Sequence, residues 1–365
     1  MLSHEIKKVS LSRLIFNGWL CQFMVVIFLG GMSMAQAADH PTYGPELEGF
    51  DYPYEVRHFK FTSQGIDVQM AYMDVKPQVP NGRTAVLLHG RNFCGATWGA
   101  TIAVLTNAGF RVIAPDQIGF GKSSKPLGYQ FSIPQLATNT KQLLTSLNVT
   151  HIVMIGHSMG GMITMRFCLM FPNALEQSVL VNPIGLEDWQ GEGVPFADID
   201  EGIKVEKATT FESIKQYEQK FYYAGQWKPE YDRWVEMAAG LWTGPGADVV
   251  TKVQARVAEM IFLNPVAHEF EHIKVPTVLM IGQLDRTAIG INRASPDVAK
   301  RLGNYPKLGR SAAKRIPNAK LIEFPDLGHA PQIQSPEAFH KALLKALDVD
   351  KTPHGTNSQE SRGRV

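Results

Sequence analysis

Two apolar spacings alternate along the first half of the chain. Short continuous runs stand at Thr84-Ala85-Val86-Leu87-Leu88, Phe110-Arg111-Val112-Ile113-Ala114, Ile152-Val153-Met154-Ile155 and Ser178 to Val181. Runs this short and this apolar predict strands buried on both faces of a sheet. Between them lie stretches with helical spacing. These are Trp98 to Ala108, stopped by Gly109; residues 132–147, with Pro134 in the first turn; and Met162 to Met170, closed by Phe171-Pro172. Earlier still, Val56 to Phe61 and Ile66 to Met73 predict two strands around the turn Ser63-Gln64-Gly65. Strands and helices alternating at this spacing predict an α/β fold with a mostly parallel central sheet flanked by helices.

The rhythm breaks after the sixth strand. From Gly185 to Pro265 no buried-strand run occurs; helical stretches carry Phe211, Tyr217, Phe221, Tyr222, Tyr223, Trp227, Tyr231, Trp234 and Trp242 instead. Strand patterns resume at Thr277 to Ile281 and Lys320 to Phe324, and a last helix is predicted from Pro336 to Leu347. The expected organisation is a core of residues 38–184 and 266–350, with a helical cap, 185–265, inserted after the sixth strand. Residues 351–365 are polar and read as a disordered tail.

The N-terminus has a different logic. Lys7, Lys8 and Arg13 precede an apolar stretch densest from Phe23 to Met34, and Ala35-Gln36-Ala37 follows. That is the order of a signal peptide, residues 1–37, cleaved near Ala37. The expectation is an exported protein, periplasmic or secreted, with no stable membrane span once the leader is gone. The rival is an uncleaved anchor, against which Asn17 and Gln22 interrupt a run already short for a bilayer.

Charge is balanced, 36 Lys and Arg against 34 Asp and Glu, with no basic stripe, so nucleic acid is not implied as a partner. Past the leader two cysteines remain, Cys94 and Cys168, too few for a disulfide framework although they could pair. No metal-ligand spacing appears.

Chemistry enters at Gly156-His157-Ser158-Met159-Gly160, directly after a strand-like run. G-x-S-x-G at a strand-to-helix turn pushes the serine out of the sheet, and small neighbours make the turn possible. A serine hydroxyl needs a base, and the base needs a carboxylate to fix its tautomer. Two later strands end in suitable residues: Thr277 to Ile281 leads to Asp285, and Lys320 to Phe324 leads to His329. The candidate catalytic set is Ser158, His329 and Asp285. Glu187 and Asp188, after the sixth strand, hold the runner-up acid position, and Asp326 is too near His329 to reach around it. His89, His157, His268, His272 and His340 compete for the base; His89 more naturally braces its own loop. The oxyanion candidates are the N–H of Met159 and, beyond Gly90, that of Arg91, with Asn92 second. Trp98, Tyr222 and Trp227 are the substrate-binding candidates, although cap aromatics also serve to pack the cap itself. The Asp and glycines of Asp116 to Ser123 read as shaping a loop.

Together these residues resemble the α/β-hydrolase superfamily, in the capped branch with a His-Gly oxyanion loop and a G-H-S-M-G-G elbow. The likeness covers about residues 55–347. It implies the fold, no cofactor, and a small-molecule substrate of apolar or aromatic character; it names neither the substrate nor the oligomeric state. Dehalogenases and epoxide hydrolases of the branch carry Asp where this chain has Ser158, which argues against both. Many members carry Pro where Asn92 stands, so this oxyanion loop has its own shape. The expected activity is a serine hydrolase cleaving a carboxylic ester or lactone. The alternatives are a C–C bond hydrolase acting next to a ketone with the same three residues, an epoxide hydrolase-like enzyme, or a non-catalytic binding relative.

Overall fold

The computed structural model describes residues 40–349. The expected leader, 1–37, and tail, 351–365, lie outside the described residues.

The strands are β1 Val56–Ser63, β2 Ile66–Val75, β3 Thr84–Leu88, β4 Arg111–Pro115, β5 Ile152–His157, β6 Leu175–Val181, β7 Thr277–Gly282 and β8 Ala319–Phe324. They form one sheet in the order β1-β2-β4-β3-β5-β6-β7-β8. β1 pairs with β2 and β2 with β4 antiparallel; every other pairing is parallel. The sheet is therefore mostly parallel, as its apolar runs predict.

Alternation along each central strand separates two cores. Val86, Leu88, Met154, Leu180, Leu279 and Ile281 face one way, into a cluster shared with α2 Ile133–Ser146, α3 Met159–Met170 and α9 Tyr305–Arg315. Ala85, Leu87, Val153, Ile155, Val179, Val278 and Met280 face the other, against α1 Gly99–Asn107 and α11 Pro336–Ala346. Successive side chains on opposite faces produce this division directly. Helix ends follow local rules. Ser132 caps α2 by accepting the N–H of Gln135, with proline just inside the start.

Between β6 and β7 the chain forms α4 Ile199–Lys207, α5 Phe211–Tyr217, a π-helical turn at Glu218–Tyr222, α6 Asp232–Thr243 and α7 Ala247–Leu263. Asp198 caps α4, and Thr210 with Ser213 makes a reciprocal cap for α5. α4 packs on α7 and α5 on α6. Two short helices, α8 Pro296–Ala299 and α10 Pro331–Gln334, complete the set.

Three local expectations change. α3 begins at Met159, directly after Ser158, because the glycines that read as loop are the first turn of the helix. α9 was not read from the sequence; it buries Tyr305, Gly309 and Ala312 among basic neighbours, with Gly309 against Ile281 of β7. Cys94 and Cys168 are both buried and free, in different clusters, so they do not pair.

Ile155 is fully buried at the centre of β5. Ile155→Ala should lower stability by about 2–5 kcal/mol, read as a shift in denaturation midpoint at unchanged m-value. A shift under about 1 kcal/mol would mean the site can collapse around the loss.

Candidate active site

Ser158 links β5 to α3 with φ +54° and ψ −117°, a backbone region L-residues rarely occupy. Its surroundings enforce the bend. A Cβ on Gly160 would lie 2.1 Å from the Leu88 carbonyl oxygen, and one on Gly156 would lie 2.2 Å from the Gly160 carbonyl oxygen. The helix can start this close to β3 because both positions lack side chains. Met159, the first residue of α3, has no intrahelical partner for its N–H, which lies at the positive end of the helix.

The carboxyl ends of β7 and β8 bring in the other two candidates. His329 Nδ1 lies 2.6 Å from Asp285 Oδ2, and both residues are fully buried. Asp285 also accepts the Thr287 N–H at 2.7 Å and the Asn182 side-chain amide at 2.9 Å. All three of these partners donate to the carboxylate, which keeps its buried oxygens hydrogen-bonded. With Nδ1 donating to Asp285, the other imidazole nitrogen is the basic one. His329 Nε2 is buried and has no hydrogen-bond partner among the described residues, so its bond to Ser158 is open in this structure. Such bonds commonly tighten when substrate arrives.

Two other histidines hold the frame. His157 Nε2 donates to the His329 carbonyl at 2.8 Å, tying the residue beside Ser158 to the loop of the base. Burial, and then the neighbouring His329, push His157 well below the ordinary histidine range, so it stays neutral. His89 Nδ1 donates to Gly90 O at 2.8 Å while its Nε2 accepts the Gln117 N–H at 3.0 Å. That fixes the loop after β3, whose turn is closed by Phe93 N–H to Gly90 O at 3.1 Å. Gly90 lies close against Ser158: a Cβ there would lie 3.0 Å from Ser158 Cβ. Arg91 and Asn92 follow in the same turn. Asp116 accepts the N–H groups of Gly95 and Lys122 and the Tyr52 hydroxyl, a loop-shaping role.

The remaining candidates divide. Tyr222 stacks obliquely on His329, ring centroids 4.8 Å apart, and meets Phe93 at 5.5 Å. Trp98 ends a tight turn leading into α1 and is buried in the same cluster as Ile102, Leu105 and Phe339. Trp227 edges onto Tyr223 and Tyr231 and donates to Asp232. The runner-up acids serve elsewhere. Asp188 pairs with His268 at the surface, while Glu187 accepts the Gly303 N–H and the Trp189 indole N–H. His340 bonds Thr101.

The sequence reading missed Asn182. It stands at the end of β6, the same sheet edge as Ser158 and Asp285, with φ +37°. Its amide donates to Asp285 while its oxygen accepts the Gly282 N–H at 2.9 Å. Position at a strand's carboxyl end was the available signal. Also missed was the attachment of the insertion to the base. His329 N–H donates to Phe221 O at 3.1 Å, Ala330 N–H to Tyr222 O at 3.2 Å, and the Gln334 amide to Tyr223 O at 3.1 Å.

Comparison with known proteins now decides the family: the profile of the alpha/beta hydrolase family matches residues 85–342. The chain belongs to this family. The crystal structure of a probable hydrolytic enzyme from Pseudomonas aeruginosa PAO1 is 54% identical, with TM-score 0.84, covering 84% of this chain and 99% of that one. The enol-lactonase from Burkholderia xenovorans LB400 shares the fold, at 20% identity and TM-score 0.60, over 79% of this chain and 99% of that one. A protein of Mycobacterium tuberculosis is 34% identical over 106 residues, 29% of this chain, and the chain matches 30% of that relative's length.

Within this alpha/beta hydrolase frame, Asn182→Gly removes the amide while tolerating the positive φ. Reaction of Ser158 with an electrophilic phosphonate, which reads proton transfer to His329, should slow about 5–150-fold, the rate equivalent of leaving a buried acceptor short of a donor. An unchanged rate would make Asn182 structural. Burial raises Glu187 from 4.5 to about 7, so the folded protein holds a proton there that the unfolded chain releases. Its contribution to stability is present below about pH 4.5 and lost as pH rises through about 7. Glu187→Gln should therefore gain stability relative to the parent above neutrality and match it in acid, as followed by denaturation midpoints across pH.

Proposed function

We propose that the chain is an exported serine hydrolase that cleaves a carboxylic ester or lactone through an acyl-enzyme. The observation that carries the reading is the enclosed Asp285–His329 hydrogen bond, at the sheet edge where Ser158 occupies its strained turn. Ser158 Oγ attacks the carbonyl carbon and His329 Nε2 takes its proton. Asp285 holds the imidazole and balances the imidazolium as it forms. The N–H groups of Met159 and Arg91 receive the oxyanion, each such donor being worth on the order of 10²–10³ in rate. The proton returns to the leaving oxygen, and water, activated by the same histidine, releases the acid.

Tyr222 beside His329, with Phe93 and Tyr217 against it, favours a substrate whose body is apolar or aromatic. The named lactonase among structures of the same fold supports acyl transfer as the reaction class. Export rests on the leader pattern of residues 1–37.

A fluorophosphonate probe should label the protein from the exported fraction on Ser158, with intact mass showing a chain that starts after Ala37. Ser158→Ala should remove the label. Labelling that survives this substitution would overturn the mechanism.

A further inference from the structure

One buried carboxyl has no part in the chemistry above. Glu218 opens the π-helical turn Glu218–Tyr222 of the insertion, and its side chain is fully buried. Neither carboxyl oxygen has a hydrogen-bond partner among the described residues. An acid is almost never sealed from water unpaired. The cations of the surrounding elements are committed elsewhere. Lys215 holds Asp232, Lys228 approaches Glu230, Arg91 holds Glu206, and Lys220 lies over the Phe221 ring. On the loop of the base, His329 is engaged by Asp285. The titratable side chains that Glu218 does influence are Tyr217, Tyr222 and Tyr223, phenols that burial keeps protonated. Burial alone holds the Glu218 carboxyl well above the usual carboxylate range, so it stays neutral where other acids ionise.

The turn that carries this acid is the one that grips the base. Tyr223 N–H donates to Glu218 O at 3.1 Å, a bond across five residues that widens the end of α5. A helix end leaves carbonyls without donors of their own, and here three successive ones are taken by the loop of His329. Phe221 O accepts the His329 N–H at 3.1 Å, Tyr222 O the Ala330 N–H at 3.2 Å, and Tyr223 O the Gln334 amide at 3.1 Å. The chain then leaves through Ala224 and Gly225, at φ +54° and +83°, and Gly225 N–H returns to Gln219 O at 2.7 Å. The other side of the turn is close to solvent: Lys220 is exposed and Gln219 half-buried. A charge formed on Glu218 has no partner where it sits, and it gains water by rolling the turn toward that side. The same motion withdraws all three carbonyls from the loop of the base.

We propose that Glu218 is a positioning residue for His329: as the neutral acid it keeps the π-helical turn closed on the loop of the base, and its ionisation opens the turn and releases that loop. This inference rests on the reading of His329 as the base for Ser158.

Hydrogen exchange of the full-length protein tests the coupling without turnover. The closed turn holds a proton that the opened turn loses, so closure weakens as pH rises. With the intrinsic exchange rate divided out, amides of residues 328–334 should lose about 10-fold in protection for each pH unit between about pH 6 and about pH 9, and should open ahead of β5. Glu218→Gln removes this slope, Glu218→Met does the same should the amide not be accommodated, and Glu218→Asp keeps a slope. Phosphonate labelling of Ser158 should follow. In the parent its rate falls on the alkaline side while β5 is still protected; in Glu218→Gln it stays level there. Equal pH dependence of the loop in parent and Glu218→Gln, or a loop that opens only together with β5, would overturn the proposal. Linked exchange with no labelling at any pH would instead remove the hydrolase reading and leave the coupling of turn and loop in place.

Discussion

A carboxylate sealed from water is the constraint around which this molecule is arranged. Asp285 is fully buried, and a bare charge there would be untenable. It persists because β6, β7 and β8 each deliver a donor to it or to its loop: the Asn182 amide, the Thr287 N–H and the His329 imidazole. Those donors meet because parallel strands end at one edge, and loops leaving that edge converge. The same geometry orients His329 and sets its tautomer. Structure and chemistry depend on one hydrogen-bonded carboxylate.

The insertion between β6 and β7 belongs to this arrangement. Its π-helical turn accepts two main-chain hydrogen bonds from the loop of the base, and Gln334 ties the two together from the other side, its oxygen taking the Gly328 N–H at 2.7 Å. The approach is close enough that a Cβ on Gly328 would lie 2.6 Å from the Tyr222 carbonyl oxygen. The element that supplies the aromatic wall therefore also positions the imidazole. On the other flank the loop after β3 reaches into the same insertion through Arg91 and Glu206. The loops that carry His329 and Arg91 are both held by this insertion.

Much of the fold was legible before any coordinates. Strands buried on both faces leave continuous apolar runs, and β3, β4, β5 and β7 lie within a residue or two of where those runs place them. The turn at Ser158 and the Asp285–His329 pair were legible for a related reason: each residue follows such a run, and the carboxyl end of a parallel strand is where a side chain escapes the sheet. α9 was not read, because its low overall apolar content hid the short buried face of Tyr305, Gly309 and Ala312. The aromatics were ambiguous because composition does not distinguish packing from lining. Trp98 went to the core and Tyr222 to the imidazole, although both are large, aromatic and near a loop.

Local spacing thus determined the α/β architecture, the turn at Ser158 and the strand-end places of Asp285 and His329, since each depends on a period or a neighbour within a few positions. Tertiary structure alone decided that Asn182 serves Asp285, that His157 braces His329 through its carbonyl, and that Arg91 meets Glu206 across 115 positions. These partners are far apart in sequence, and nothing in either residue's own surroundings announces the other. They become neighbours when burying both faces of the sheet forces the loops of separate strands to share one edge.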